Sequence, residues 1–243
     1  MAATSLLSAP ARHAPIDARA LAARFLQVRE RSLGLAAPLS AEDAMVQSMP
    51  EASPAKWHLA HTTWFFERFV LALADADYRP VDPGWEYIFN SYYEGVGPFH
   101  ARPRRGLLAR PSLQQVLDYR REIDRRVAAR IRAGALDDDA LRRVLLGTHH
   151  EQQHQELLLT DIKHAFWSNP LHPAYCDDPP GADGPGVPLR WIQLAGGTVP
   201  IGAARWPEQS ASFAWDNESP RHPVLLQPFA LANRPVTHAE FRL

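Results

Sequence analysis

Residues 148–156 read THHEQQHQE, and this polar run interrupts a leucine-rich segment with helical periodicity. His150 and His154 stand four residues apart, so a helix places both imidazoles on one face, one turn apart. Burying two imidazoles among leucines is costly unless a partner satisfies them. The spacing indicates a pair of metal ligands on a long helix, although a half-buried structural pair would share the same pattern.

The composition limits the class of protein. The chain has 243 residues, of which 46% are hydrophobic and 22% charged, and this is ordinary for a globular protein. The net charge of -1 provides no strong field for nucleic acid or an anionic membrane. No apolar run approaches the ~20 residues that span a bilayer, so a soluble cytoplasmic protein is expected.

The cysteine and histidine counts limit the kind of metal site. Cys176 is the only cysteine, which excludes an intrachain disulfide and a thiolate cluster. It lies in a proline-rich segment, and we expect it to be incidental rather than nucleophilic. The 11 histidines leave imidazole, carboxylate and water as the available ligands.

Helical periodicity predicts four long amphipathic helices. Asp17 lies in the first turn of the first helix, Ser53 precedes Pro54 at the start of the second, and Ser112 and Asp137 begin the third and fourth. The predicted helices cover 16–33, 53–74, 112–134 and 137–167, with a short helix at 40–47. They predict a mainly α fold in which residues 16–168 form an antiparallel four-helix bundle after a disordered tail, 1–15.

The remaining segments are rich in proline and glycine. Residues 75–111 contain five prolines and scattered aromatic side chains, which is typical of a long loop packed over a site. Residues 169–186 read as a linker. Short strands are then predicted at 190–194, 197–202 and 222–229, and Thr237 begins a helix with a capping box. Residues 187–243 therefore read as the start of an α+β domain that looks incomplete.

A third metal ligand is expected from a neighbouring helix. His61 is the best candidate because it lies in the middle of the second helix, in an aromatic stripe. With His150 and His154 it would form a three-histidine site with open positions, which suits Fe(II), Zn, Ni or Cu. The spacing predicts that His58 and His149 are surface or capping residues.

Polar residues near these histidines are candidates for supporting roles. Glu151, Gln153 and Asp161 are expected to orient the ligands or substrate. Arg102, Arg104 and Arg105 end the long loop. Such a cluster is by default solvated, but it can also neutralise the carboxylates of a small acidic substrate.

Several segments resemble one enzyme family, the sulfoxide synthases of ergothioneine biosynthesis. In the first 168 residues they are SPAKWHLAHTTWFFE, FNSYYEGVGPFHARPRRGLL and THHEQQHQELLLTDIKHAF. WIQLAGGTVPIGA and FAWDNESPRHPVLLQPFALANRPVTHAEF are similar to the opening of that family's second domain. The resemblance covers roughly residues 15–243. It implies a DinB-like four-helix bundle followed by a C-type-lectin-like, formylglycine-generating-enzyme-like domain.

The resemblance also implies a chemistry. Non-haem Fe(II) would be bound by His61, His150 and His154. Dioxygen would be used to join hercynine to the thiol of γ-glutamylcysteine or cysteine, with sulfoxide formation in the same turnover. Family arginines that hold substrate carboxylates fall in the region of Arg102–Arg105. The family's catalytic tyrosine lies beyond Leu243, so we expect this chain to hold iron weakly and to turn over poorly or not at all.

Two alternatives remain open at the level of sequence. One is a DinB-like metal-dependent thiol transferase that uses Zn or Ni on the same histidines. The other is a non-catalytic truncated module that binds a metal or a partner. The near-neutral charge argues against a nucleic-acid partner and the lack of a long apolar segment against a membrane.

Overall fold

The computed structural model describes residues 16–91, 95–177 and 186–242, and the chain divides into two compact units. The predicted tail, 1–15, lies outside the described residues. The first unit, Pro15–Asp178, is helical and contains four long helices. They are α1 (Ala18–Ala36), α2 (Ala55–Phe66), α4 (Leu113–Arg132) and α5 (Asp138–Ser168), and a short helix α3 (Trp85–Phe89) lies between α2 and α4.

The helix starts follow the capping residues. The Asp17 carboxylate accepts hydrogen bonds from the backbone N–H groups of the first turn of α1, and Asp137 does the same for α5. Ser112 and Gln115 form a reciprocal capping box at the start of α4. These three predicted starts are therefore correct to within one or two residues.

The second helix departs from its prediction at both ends. Pro54 occupies the N-cap position, and Ser53 uses its hydroxyl instead to accept a hydrogen bond from Arg105. After Phe66 the helix widens into one π-helical turn, Glu67–Leu71, so it does not continue as a regular helix to residue 74. A π-helical turn is costly and often accompanies a functional site.

The bundle places α1 and α2 on opposite sides of its core. Each of them packs against both α4 and α5. Large side chains fill the centre, among them Phe25, Phe66, Ile123 and Val144, all with no measurable exposure. A second cluster, around Trp57, Trp64 and Phe89, covers the other part of α2. Because α2 is enclosed on every side, all twelve of its residues are buried.

The long loop between α2 and α4 folds over the bundle as expected. It contains α3 and a 3-10 helix, Arg102–Leu107. The Trp57 indole donates to the carbonyl of Ile88 at 2.9 Å, and the Lys56 ammonium donates to the carbonyl of Leu108 at 2.8 Å. These bonds hold the loop against the second helix.

The second unit, described for residues 186–242, consists of two small antiparallel sheets. They pair β1 (Trp191–Leu194) with β4 (Phe229–Ala232) and β2 (Gly197–Ile201) with β3 (His222–Leu226), and a one-turn helix α6 (His238–Phe241) follows. The predicted single strand at 222–229 is two strands, because the chain changes partner at Pro228, which has no N–H to donate.

The interior of this unit is small. Ala214 is the only buried apolar side chain among residues 186–242, while Trp191, Leu225 and Leu231 are mostly exposed. A stable domain normally buries one face of each sheet against another layer. The sheets as described have no such layer, and their relation to a C-type-lectin-like fold is not established by these strands.

The first unit extends beyond the predicted start of the linker at residue 169. Tyr175 packs against Leu35 and Leu158, and its hydroxyl donates to the Leu35 carbonyl. Residues 178–185, the centre of the predicted linker, lie outside the described part of the chain. No helix among the described residues is long and apolar enough to cross a bilayer.

Candidate metal centre

Three histidines converge inside the first unit. His61 projects from α2, and His150 and His154 project from the facing α5. One ring nitrogen from each lies within 4.8 Å of the others, and together they can hold a metal ion. The ring centroids are 4.6 to 5.1 Å apart. The structure thus brings together the three residues that the sequence singled out from two segments 89 positions apart in the chain.

Aromatic side chains hold two of these rings in place. The His61 ring stacks on Trp57, with centroids 4.5 Å apart and planes 11° from parallel. The His150 ring lies against Phe65, 4.9 Å away. These two aromatic side chains, both on α2, restrict the rings and exclude water from one side of the centre.

Gly147 permits the close approach of the two helices, and the sequence analysis did not identify it. A Cβ atom at this position would lie 2.5 Å from Phe66 Cε1 and 2.9 Å from Phe65 Cε1. Glycine costs a helix interior about 1 kcal/mol relative to alanine, so its place one turn before His150 needs a reason. The lone glycine inside a helical pattern was the available signal.

Burial keeps the three imidazoles neutral. It lowers the pKa of His61 and His154 well below the ordinary value, with neighbouring histidines adding to the effect. Burial also lowers the pKa of His150 to about 4. A neutral imidazole presents the lone pair that a metal ion requires, so this set of side chains suits a metal at neutral pH.

Each ligand candidate has a different second partner. His61 Nδ1 donates to the Phe89 carbonyl at 2.6 Å, so in the neutral ring Nε2 carries the lone pair that a metal ion requires. His154 Nδ1 lies 2.8 Å from His58 Nδ1. His150 Nδ1 is buried and has no hydrogen-bond partner among the described residues. The centre thus contains one buried imidazole nitrogen, His150 Nδ1, that the described protein groups do not satisfy, as expected for a metal-binding site.

The prediction that His58 is a surface or capping residue is wrong. His58 is 3% exposed, because the loop before α4 and the neighbouring helices enclose α2 on every side. Its Nε2 lies 3.0 Å from Asp161 Oδ2. Burial lowers the pKa of His58, so the ring is neutral. His149, in contrast, is half-buried on another face of α5, where its Nε2 lies 3.1 Å from Arg24.

A cavity of about 360 Å³ adjoins the three histidines. Arg105 is buried in its wall, with the guanidinium 3.4 Å above the Trp57 ring and hydrogen bonds to Ser53 Oγ and Ser91 Oγ. Arg102 also lines the cavity, whereas Arg104 is exposed and is not among the lining residues. The 3-10 turn separates the arginines in this way, because positions three residues apart project on the same side.

Glu151 faces away from the three histidines. Its carboxylate accepts hydrogen bonds from Arg29 at 2.9 Å, from Ser32 Oγ at 2.5 Å and from Arg120. Burial alone would raise the pKa of Glu151, but Arg120 and Arg29 outweigh it and the pKa is lowered. The residue therefore joins α5 to α1 and α4, and it supports His150 through the helix backbone, not through a contact with the ring.

Gln153 lies away from the cavity, whereas Asp161 is connected to the metal centre. Gln153 is exposed and does not line the cavity. Asp161 Oδ2 accepts a hydrogen bond from the Ser53 backbone N–H at 2.9 Å and also contacts His58. Of the polar residues expected to orient ligands, Asp161 is thus the one that reaches the centre, through His58.

A family model identifies the helical unit. The model of the DinB superfamily matches residues 24–158, more than half of the chain, so the protein belongs to this superfamily. Domains of this superfamily typically bind metal ions, and many members are metal-dependent enzymes. All three converging histidines lie within the matched residues. A comparison with curated proteins finds no match.

Proposed function

We propose that this protein is a non-haem Fe(II)- and O2-dependent sulfoxide synthase. It would join the imidazole carbon of hercynine to the sulfur of γ-glutamylcysteine or cysteine. The reaction replaces one C–H and one S–H bond with a C–S bond. One oxygen atom of O2 enters the sulfoxide, and the other leaves as water with the two hydrogens.

The observation that carries this proposal is that two arginines and three neutral histidines line one cavity. Arg102 and Arg105 share its wall with the histidines. Arginine binds carboxylates through paired, charge-assisted hydrogen bonds. A small thiol with carboxylate groups fits this combination, since its charge would meet the arginines while its sulfur reaches the metal.

The protein side chains have distinct parts in this reaction. A bound ferrous ion would supply one-electron chemistry and adjacent positions for a thiolate and dioxygen. Arg102 and Arg105 would hold the thiol substrate by its carboxylates, and Trp57 would keep the buried wall of the cavity dry. Correct placement of two reactants removes much of the entropic barrier to their reaction. Since thiols and ferrous ions persist in a reducing compartment, we assign the reaction to the cytoplasm.

A three-histidine centre can support several reactions. We choose this one because the sequence motifs resemble those of the ergothioneine sulfoxide synthases. In the proposed scheme the second unit belongs to a formylglycine-generating-enzyme-like domain. The alternation of short strands and the capped helix at Thr237 are compatible with that assignment.

A single-turnover experiment tests the proposal. The chain is loaded with Fe(II) without oxygen, mixed with hercynine and γ-glutamylcysteine or cysteine, and exposed to oxygen, and the product is identified by mass spectrometry. Because this chain is expected to turn over poorly, we expect only a small amount of sulfoxide, less than one per iron, formed only when Fe(II) and oxygen are both present. Absence of this product from iron-loaded protein with both thiols contradicts the proposed reaction.

Paired arginine variants test the substrate site. Arg102→Ala removes a guanidinium from the cavity wall, while Arg104→Ala removes an exposed one from the same turn. A charge-assisted hydrogen bond contributes about 1.5–3 kcal/mol, so Arg102→Ala should weaken thiol binding by about 10- to 100-fold. Arg104→Ala should leave it unchanged. Equal affinities in the two variants exclude Arg102 from the substrate site.

A thiol transferase dependent on Zn or Ni is the second candidate. It is favoured by one observation: the DinB superfamily match ends at residue 158 and so needs nothing from the second unit. The same histidines would hold the metal. Stable zinc in anaerobically purified protein, with thiol transfer and no oxygen consumption, would establish this alternative.

A further inference from the structure

His58 and Asp161 form a hydrogen-bonded chain that ends at His154. The Ser53 backbone N–H donates to Asp161 Oδ2 at 2.9 Å, and His58 Nε2 lies 3.0 Å from the same oxygen. A backbone amide can only donate, and an ionised carboxylate can only accept. The proton shared with Asp161 therefore belongs to His58 Nε2.

The position of this proton determines the state of the next ring. A neutral imidazole has one N–H group, so His58 Nδ1 is an acceptor. It lies 2.8 Å from His154 Nδ1, which must then carry a proton to make the hydrogen bond. The lone pair of His154 is consequently on Nε2.

We infer that His58 and Asp161 are positioning residues, which fix His154 in the tautomer that presents Nε2 to a metal ion. The inference rests on the proposed metal-binding role of His154, but not on iron or on sulfoxide chemistry. Any divalent ion that binds imidazole would benefit from the same arrangement. Partners of this kind typically change metal affinity by about 10- to 100-fold.

His61 and His150 make different contacts from those of His154. A substitution of His58 therefore tests the support of His154 specifically. His61 donates to the Phe89 backbone carbonyl, which a side-chain substitution does not remove. His150 Nδ1 has no hydrogen-bond partner among the described residues. Of these three histidines, His154 is the one whose described hydrogen bond is to another side chain.

Two substitutions of similar polarity separate the tautomer from general packing. In His58→Asn the amide oxygen reaches the place of the ring Nδ1, so it can still accept from His154. In His58→Gln the amide reaches the place of Nε2, so it can contact Asp161 but offers His154 no acceptor. His164→Asn serves as the control, because His164 lies on α5, the helix of His154, and its ring contacts Ser48 Oγ at 2.7 Å instead of the metal centre.

The first readout is zinc affinity, measured on the complete chain by competition with a chromophoric chelator. We expect His58→Asn and His164→Asn to bind zinc within about threefold of the parent protein. His58→Gln should bind about 10- to 100-fold more weakly. Equal affinities for the Asn and Gln variants of His58 would overturn the inference.

The second readout is the tautomer itself, observed in metal-free protein by nitrogen NMR of the imidazole rings. We expect the proton of His154 on Nδ1 in the parent and in His58→Asn, and a change in His58→Gln. A proton on Nε2 of His154 in the folded parent protein would overturn the inference directly. This measurement needs neither metal nor substrate, so it remains informative if sulfoxide formation fails.

Discussion

Gly147→Ala tests how closely the two metal-binding helices must approach. The new Cβ atom would lie 2.5 Å from Phe66 Cε1, whereas ordinary contact begins at 3.4 Å. Either α5 or the ring must therefore move by about 0.9 Å. The Phe66 ring cannot yield easily, since it has no exposed surface and packs edge-on against Phe25 with centroids 4.9 Å apart.

The expected magnitude follows from two opposing effects. Alanine improves helix propensity by about 0.5–1 kcal/mol, and overpacking a dense core costs about 1–3 kcal/mol. The difference is a net loss of up to about 2.5 kcal/mol, centred on about 1 kcal/mol, in the free energy of unfolding. Because Phe65 contacts both the glycine site and the His150 ring, the same displacement should separate His150 from His61 and weaken metal binding by about tenfold or more.

Gly34→Ala provides the matched control. Gly34 lies in α1, and a Cβ atom there would have no neighbour within 4 Å. This variant should be more stable by about 0.5–1 kcal/mol and should bind metal normally. Urea denaturation and chelator competition measure the two effects. If Gly147→Ala matched Gly34→Ala in both measurements, the close approach at Gly147 would not be what holds the centre together.

Three further predictions concern α5. His154→Ala should sharply lower metal occupancy in a zinc or iron titration, whereas His149→Ala should bind as the parent does. Equal losses in the two variants would contradict the assignment of His154 to the metal-binding face of α5. Glu151→Ala leaves two buried guanidinium groups without the carboxylate that they share, so it should lower the free energy of unfolding by about 3–5 kcal/mol in urea denaturation. As a control, the substitution Glu156→Ala at an exposed position should change this free energy by less than about 0.5 kcal/mol. In metal-free protein the pKa of His150 is about 4 in the folded state and about 6.5 in the unfolded state. As the pH decreases, the unfolded state therefore binds the proton first, and the free energy of unfolding should fall between about pH 6.5 and about pH 4. Urea midpoints across this range should show a smaller decrease in His150→Gln, and an identical pH dependence would contradict the assignment.

The helical bundle and the three converging histidines were accessible from sequence because both depend on short-range patterns. Four-residue spacing places His150 and His154 on one helix face whatever the rest of the chain does. Ser112 and Asp137 mark helix starts through local hydrogen bonds alone. His61 was identified because it interrupts an aromatic stripe at its centre.

The parts that sequence reasoning missed depend on distant contacts. His58 is buried because the loop before α4 covers the side of α2 that would otherwise meet solvent, and no spacing rule reveals that. Glu151 lies beside His150 in sequence, yet it points to Arg29 and Arg120 on two other helices. Packing determines which distant segments of the chain contact each other, and local sequence patterns do not reveal these contacts.

The second unit shows a related limit. The sequence predicts short strands near their observed positions, but the pairing of β1 with β4 and of β2 with β3 joins residues that are 21 or more positions apart. Proline interrupts strands, yet the strand predicted at 222–229 includes Pro228. Proline positions would have separated β3 from β4 had they been weighted above the apolar pattern.

The most direct test of the proposed centre is the binding of iron and thiol in one site. The complete chain is titrated with Fe(II) without oxygen, treated with nitric oxide as a spectroscopic probe, and examined by electron paramagnetic resonance before and after addition of γ-glutamylcysteine. We predict one iron per chain, a high-spin signal that is lost in His154→Ala, and a changed signal when the thiol is added. A spectrum that is the same in His154→Ala, or that does not respond to the thiol, would contradict an iron centre that binds thiols at these three histidines.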